Sequence, residues 1–542
     1  MGDRSGRSRR LRIGAVAFVV VMAMFAAACG SGNDSSSPDA PATSVPDEGT
    51  PKAGGTLKVG ITADQNGYNA ASARWDPVGN LVGSTIYDSL MKFDADRKVQ
   101  PNLAQSVTSN ADGTVWTITM RPNVTFQDGT PADAEAVKLN IETRKADPLA
   151  GSALDPVQEV RVTGPLTTEV VMKQPWFGYD ATLAAQGGYL VAPATINDTS
   201  ADAKPIGTGP FAFKSWSKGD SFEVVKNPSY WQADKPYLDG ITFTIVPDQT
   251  ALMAALRACN VDMVMTDDAS SIKTLRSSSD LRSIEDVNAE TAYVQMNEAA
   301  PPFDNIHARR ALAYATDQQA LIDSVGQGIG LQADSPYTAD SQWRVADPKY
   351  VTYDTEQATK ELQAYTADTG QSKLSFALKL STGGAFPQVA VALQAQWAAV
   401  GIDAQIAQLE QTTFLTDSFL GNYQASIFRN FGYVNPDSNY LFWSSTTAKG
   451  IGTGSINFTQ TKVPAVDQGL DGARATNDDV QRKAYYDQVQ QALNQELPYV
   501  WLYHVVWALG ARPDVGGLSE PQSLGFGRTD AKPWWTDIWL KS

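Results

Sequence analysis

An apolar run from Ile13 to Ala28 separates the amino terminus from the part of the chain that is expected to fold. Five arginines precede the run, and Cys29 follows it. The run is shorter than the roughly 20 residues that a helix needs to cross a bilayer, and a basic segment before a short apolar one is typical of a secretory signal. We therefore predict that residues 1–28 are a signal peptide, with an N-terminal membrane anchor as the alternative.

Cys29 is predicted to be the lipidated first residue of the mature chain. Three alanines precede it, an arrangement that resembles a bacterial lipobox, but Ala26 stands where that motif usually has Leu, so cleavage without lipidation stays open. Residues 29–53 are rich in Gly, Ser, Pro and Asp and predict a flexible tether with a reach of roughly 25–30 Å. We expect the folded part to lie on the outer face of the cytoplasmic membrane, attached to it through the lipid.

The charge of the chain argues against nucleic acid as a partner. The formal net charge is −16, and without residues 1–28 the chain keeps 38 basic and 58 acidic side chains. Such a surface repels phosphate backbones, and no basic stripe stands out. We therefore expect no nucleic-acid binding.

Histidines and cysteines are too few for a metal centre or an internal disulfide. The histidines are His307 and His504, and no Asp-rich calcium loop is present, so we predict neither a metal nor a cofactor. If Cys29 carries lipid, Cys259 has no partner, and we expect it to be buried and inert. Stability then depends on the burial of apolar side chains. The roughly 490 residues after residue 53 are too many for a single hydrophobic core.

Local patterns predict alternating strands and helices. Residues Thr56–Ile61 and Thr114–Met120 predict strands. A helix is predicted over 130–144, with Thr130 as its N-cap and Pro131 in its first turn. A second helix should begin at Pro387 and end at Gly401 before a strand over 402–409. The predicted class is α/β with mixed sheets.

Nine short motifs follow one another along the chain. They are GTLKV at 55–59, IYDSL at 86–90, PNLA at 101–104, DGTVWT at 112–117, RPNVTFQDGTP at 121–131, GTGPF at 207–211, NPSYW at 227–231, PFD at 302–304 and RALAYATD at 310–317. Together they resemble the family 5 solute-binding proteins, the group that includes dipeptide, oligopeptide and nickel receptors of ABC importers. The resemblance spans roughly residues 54 to 540.

The resemblance implies a periplasmic-binding-protein-like architecture of type II, also called cluster C. Two large hinged lobes with mixed sheets and a third, smaller lobe would enclose the ligand. Lobe I would comprise 54–75, 191–292 and 506–542, lobe II 76–190, and lobe III 293–505. We expect a monomer whose closed form is recognised by the transmembrane subunits of an ABC permease.

The segment from Ile427 to Asp437 bears on the cargo. In peptide-binding members it reads Gly-Trp-x-x-Asp before a proline, and that Asp pairs with the α-amino group of the peptide. Aligned on Pro436, this chain has Arg429 in place of the Trp and Gly432 in place of the Asp, while Asp437 is no obvious substitute. We therefore expect Arg429 to bind an anionic group of the cargo, with an ion pair to an internal Asp or Glu as the alternative.

Neighbouring residues complete the predicted site. Asn430 and Gly432 flank the segment, Phe431 and Tyr433 could stack on a flat cargo, and Tyr503 and His504 could approach from the last long strand, with a structural role as the alternative. The cargo would be a small carboxylate, with or without an aromatic ring, or a short peptide; a dipeptide or oligopeptide is the alternative.

The motifs of common enzyme classes are missing from the sequence. It contains no Gly-x-Ser-x-Gly elbow, no His-Glu-x-x-His and no Walker-type phosphate loop. We predict a binding protein rather than an enzyme. A surface hydrolase, and a chaperone or interaction protein on the same scaffold, are the alternatives.

Overall fold

A computed structural model describes residues 49–72, 75–94, 96–147, 151–198, 204–430, 433–518 and 535–541. The predicted signal peptide, Cys29, Phe431 and Gly432 lie outside these ranges. Within the ranges, no helix is both long enough and apolar enough to cross a membrane.

Strands and helices alternate along the described chain. The strands are β1 (Thr56–Ile61), β2 (Met91–Phe93), β3 (Val99–Pro101), β4 (Ala104–Ser109), β5 (Val115–Met120), β6 (Val157–Gly164), β7 (Thr167–Met172), β8 (Phe211–Ser217), β9 (Ser221–Lys226), β10 (Gly240–Ile245), β11 (Met263–Thr266), β12 (Arg282–Met296), β13 (Leu331–Gln332), β14 (Ser375–Ser381), β15 (Asp403–Leu409), β16 (Ala425–Asn430), β17 (Tyr499–Ala511), β18 (Val515–Gly516) and β19 (Trp539–Leu540). The helices are α1 (Pro77–Ile86), α2 (Ala134–Ala146), α3 (Tyr179–Thr182), α4 (Gln249–Arg257), α5 (Ala269–Ser277), α6 (Ile306–Tyr314), α7 (Gln318–Ser324), α8 (Thr355–Thr369), α9 (Phe386–Ala399), α10 (Gln411–Leu420), α11 (Tyr440–Trp443), α12 (Pro464–Arg474) and α13 (Asp479–Glu496).

The largest sheet has the order β15-β14-β16-β12-β17-β11-β1-β10-β9-β8, with β13 also paired to β17. Strand β1 runs parallel to β10 and β11, and β14 runs parallel to β15 and β16, whereas β12 and β17 pair antiparallel. A separate antiparallel sheet, β4-β5-β7-β6, lies inside the segment predicted as lobe II. This confirms the predicted α/β class with mixed sheets.

The two longest strands connect the halves of the large sheet. Strand β12 has 15 residues and β17 has 13, and the register between them shifts between Asp286 and Glu290. Such an irregularity bends a strand and increases its local twist. It lies near the point where the predicted lobes I and III would meet; the lobe boundaries themselves stay predictions.

Several helix and strand ends agree with the local sequence signals. Strand β1 has the predicted bounds, and α9 has Pro387 in its first turn. Gly401, with φ +92°, follows the end of α9 as predicted. The predicted start of α2 is wrong, because its N-cap is Asp133, which accepts a hydrogen bond from the amide of Ala136 at 3.0 Å.

The physical reason for this difference is a competing turn. The hydroxyl and the amide of Thr130 both donate to the Asp128 carboxylate, at 2.6 and 2.9 Å, so this Thr belongs to the turn before α2. A second correction concerns Cys259, which is exposed rather than buried. Its φ of +59° places it in a tight left-handed turn after α4.

Candidate ligand-binding site

The register of three strands divides the predicted site residues between two faces of the sheet. Ala292 of β12 pairs with Arg429 of β16 on one side and with Tyr503 of β17 on the other. One residue further, Thr291 pairs in the same way with Asn430 and His504. Directly paired side chains share a face and successive residues alternate, so Arg429 and Tyr503 lie on one face and Asn430 and His504 on the opposite one.

On the first face, Arg429 forms ion pairs with two carboxylates. Its Nη1 is hydrogen-bonded to Asp267, which follows β11, and its Nε lies 3.3 Å from Oε2 of Glu290 in β12. Burial alone would lower the pKa of Arg429, but Glu290 and Asp267 raise it above its ordinary value. The anion assignment supposed a guanidinium without an internal acidic partner. In the structure Arg429 has two internal acidic partners, as the alternative expects, and its contact with cargo stays a prediction.

Aromatic rings surround this ion pair. The Cζ atom of Arg429 lies 5.3 Å from the ring of Trp507 and 6.0 Å from that of Phe386, within the range of cation–π attraction. The indole of Trp507 also donates to Oε2 of Glu290 at 3.1 Å. Tyr503 is half-buried beside them, and burial raises its pKa to about 12.

Acidic groups outnumber the guanidinium on this face. Asp76, the N-cap of α1, accepts from the amide of Gly79 at 2.7 Å and lies close enough for its charge to interact with Arg429. Among the described residues, the acidic cluster therefore consists of Asp76, Asp267 and Glu290 around Arg429. Burial raises the pKa of Glu290, and Arg429 offsets part of that rise. A further positive charge would suit this cluster better than a negative one.

On the opposite face, the structure brings three other predicted residues together. The hydroxyl of Tyr433 donates to Oδ1 of Asn430 at 2.9 Å. His504 is buried, and its Nδ1 lies 2.9 Å from the hydroxyl of Thr291. Tyr433, His504 and Thr291 line a small hollow of about 20 Å³, to which Trp343 also contributes.

A buried contact joins segments of the predicted lobes II and III. Asp437 accepts from the indole of Trp176 at 2.7 Å and from Nε and Nη2 of Arg474 at 2.6 and 3.2 Å. The amide of Phe177 donates to the carbonyl of Arg474 at 2.9 Å. Asp437 thus has a structural role that its place after Pro436 did not indicate.

Residue-level reasoning missed Asp267, Glu290 and Trp507. A signal for Asp267 exists, because it directly follows the fully buried strand β11, where strand ends commonly carry functional groups. Glu290 and Trp507 lie inside long strands and carry no comparable local signal. Among the described residues, no group of three His, Cys, Asp or Glu side chains could hold a metal ion.

The chain is similar to known proteins over most of its length. The profile of the family described as "Bacterial extracellular solute-binding proteins, family 5 Middle" matches residues 98–452. The probable D,D-dipeptide-binding periplasmic protein DdpA of Escherichia coli is 27% identical over 85% of this chain and 89% of its own length. The oligopeptide-binding protein AppA of Bacillus subtilis is 26% identical over 92% of this chain and 94% of its own.

Solved structures share the fold. The structure of AppA from Bacillus subtilis in complex with a nonapeptide has a TM-score of 0.78 at 22% identity, and covers 91% of this chain and 100% of its own. That of DppA from Helicobacter pylori in complex with the peptide STSA has a TM-score of 0.79 at 21% identity, over 91% and 99%. The periplasmic-binding-protein-like architecture is therefore confirmed.

Proposed function

The chain belongs to family 5 of the bacterial extracellular solute-binding proteins, the substrate-binding components of ABC importers, and we propose that it captures a small solute with a protonated amine, such as a short peptide. The observation behind this proposal is the acidic cluster. Relatives of this chain named for dipeptides and oligopeptides support the same class of cargo.

The charges of the acidic cluster favour an ammonium over a carboxylate. Arg429 already has two carboxylate partners, so an anionic cargo would compete with Asp267 and Glu290 for it. An ammonium would instead lower the cost of keeping Glu290 ionised in a buried position. In this proposal the carboxylates contact the cargo, and Arg429 is a positioning residue that holds two of them in place.

Acetylating the amine of the cargo should abolish most of the binding. We expect short peptides with a free amino terminus to bind at least roughly thirtyfold more tightly than the same peptides after N-acetylation, because loss of one partner of a desolvated charge pair typically costs about 2–5 kcal/mol. Calorimetry on residues 30–542 with both peptide panels measures the difference. Equal affinity of the two panels would refute the amine assignment, and failure of both panels would refute the peptide class.

A matched pair of variants tests the position of the amine. Glu290→Gln should reduce the affinity for free peptides and leave that for acetylated peptides unchanged. Glu285→Gln on the same strand is the control, because Glu285 pairs with Arg276, whose side chain is 47% exposed. If both variants lose affinity equally, the effect does not come from the acidic cluster.

We further propose that the mature chain is a monomer tethered through a lipid on Cys29 and presents its closed, loaded form to the permease. Cys29→Ala should prevent lipidation and move the protein from the membrane fraction to the soluble fraction, because a lipid supplies about 0.8 kcal/mol of membrane affinity per buried methylene. Fractionation of expressing cells, with mass analysis of the amino terminus, measures both. A variant as membrane-bound as the parent would contradict the tether.

A further inference from the structure

One tryptophan of the predicted lobe II has its side chain inserted among residues of the predicted lobe III. The backbone of Trp176 is bonded on its own side, because its amide donates to the carbonyl of Gly113 at 2.9 Å and its carbonyl accepts from the indole of Trp116 at 3.0 Å. Its side chain is only 1% exposed, and its indole donates to Oδ2 of Asp437 at 2.7 Å. Trp176 therefore connects the two predicted lobes through one buried ring.

The pocket that receives this ring is held together by residues of the predicted lobe III. Nε and Nη2 of Arg474 donate to Asp437, and the hydroxyl of Tyr440 donates to Oδ1 of Asp471 at 2.8 Å. The Cζ atom of Arg474 lies 3.5 Å from the ring of Tyr440 and 4.7 Å from that of Trp176. The indole thus adds a second ring to a charge that already has a carboxylate partner and a first ring.

This arrangement lets the contact open without leaving a charge unpaired. Asp437 and Arg474 lie 37 positions apart within one predicted lobe, so they can stay paired when the indole of Trp176 withdraws. A buried ion pair divided between two lobes would instead be broken by opening, which is strongly destabilising. Withdrawal of the indole costs the burial of one ring and one hydrogen bond, a cost that suits a reversible contact.

Gly178 makes the fit between the two segments close. A Cβ atom at this position would lie 3.3 Å from Cβ and 3.4 Å from Cγ of Asp437. The φ of Gly178 is −92°, which a residue with a side chain can adopt, so the space and not the backbone favours glycine here. A large side chain at residue 178 would therefore need the predicted lobes II and III to move apart.

We propose that Trp176 is a latch that holds the predicted lobes II and III together in the absence of cargo. The protein then populates its closed form before cargo arrives, and the cargo shifts an equilibrium that the latch already biases. The latch also sets the cost of reopening the protein. This proposal does not depend on the amine proposal, because its test needs no cargo.

Two neighbouring amides report the opening of the latch. The amide of Phe177 donates to the carbonyl of Arg474 across the contact, whereas the amide of Trp176 donates to Gly113 within the predicted lobe II. In Gly178→Leu, hydrogen exchange at Phe177 should accelerate at least roughly tenfold, while exchange at Trp176 should stay near its value in the parent. Small-angle scattering of residues 30–542, without added cargo, should give a larger radius of gyration for the variant than for the parent.

A second glycine of the predicted lobe II supplies the control. A Cβ atom at Gly164, the last residue of β6, would have Thr167 as its nearest neighbour, at 3.7 Å, so Gly164→Leu should change neither measurement. Trp176→Phe keeps a ring but removes the indole donor, and should change both measurements in the direction of Gly178→Leu by a smaller factor. In Gly178→Leu, an unchanged radius of gyration, unchanged exchange at Phe177, or equal acceleration at Trp176 and Phe177 would each overturn the latch, as would the same response in Gly164→Leu.

Discussion

Replacing Arg429 with Ala should lower the free energy of unfolding by about 3–5 kcal/mol, because it leaves Asp267 and Glu290 as unpaired carboxylates in a mostly desolvated position. Glu290 would keep its hydrogen bond from Trp507, which moderates the loss without compensating the charge. Arg429→Lys should recover only part of the stability, since one ammonium cannot reach two carboxylates with the geometry of a guanidinium. Urea denaturation of residues 30–542 gives the free energy of unfolding of the parent, Arg429→Ala and Arg429→Lys.

An exposed ion pair supplies the matched control for this change. Arg161 pairs with Glu159 at the surface, where the two side chains are 51% and 50% exposed. Arg161→Ala should change the free energy of unfolding very little, because the pair is exposed to solvent. If Arg429→Ala is as mild as this control and instead abolishes the binding of a carboxylate cargo, Arg429 is a ligand contact, as the sequence alone suggested, and the positioning role is wrong.

Local sequence signals predict parts of this fold that depend on neighbours in the chain. The bounds of β1 follow from the alternation of polar and apolar residues. Asp317 is the N-cap of α7, a position at which Asp is common. The start of α2 could not be predicted in this way, since Thr130 and Asp133 are both good N-caps. The choice depended on Asp128, which uses the hydroxyl of Thr130 in a turn.

The candidate site was predictable only in part, because its chemistry comes from residues far apart in sequence. Arg429 and Asp267 are 162 positions apart and meet through the strand order β16-β12-β17-β11. No local pattern encodes that order. The division of the site residues between two faces could, however, be predicted from the sequence. Arg429 and Asn430 are neighbours in one strand, and Tyr503 and His504 are neighbours in another, so the two members of each pair point to opposite faces.

The second large effect is expected at the buried contact between the predicted lobes II and III. Asp437→Asn should lower the free energy of unfolding by about 3–5 kcal/mol, because the guanidinium of Arg474 would stay buried without a counter-charge. The Asn side chain would also place an NH₂ donor where Asp437 has an acceptor oxygen. That donor would face either the indole N–H of Trp176 or the guanidinium of Arg474, which are donors themselves. The ring of Tyr440, 3.5 Å from the Cζ atom of Arg474, would retain some attraction for the charge.

Hydrogen exchange distinguishes a loosened contact from a general loss of stability. The amide of Phe177 donates to the carbonyl of Arg474 across this contact, so its exchange should accelerate in Asp437→Asn more than that of amides in the strand pair β14–β15, which lies far along the large sheet. Asp403→Asn is the matched control, because Asp403 pairs with Lys373 at the surface, and this substitution should change the free energy of unfolding very little. Equal stability of the two variants, or unchanged exchange at Phe177, would mean that Asp437 does not hold these segments together; a selective acceleration at Phe177 would make this carboxylate the residue that fixes one predicted lobe against the other.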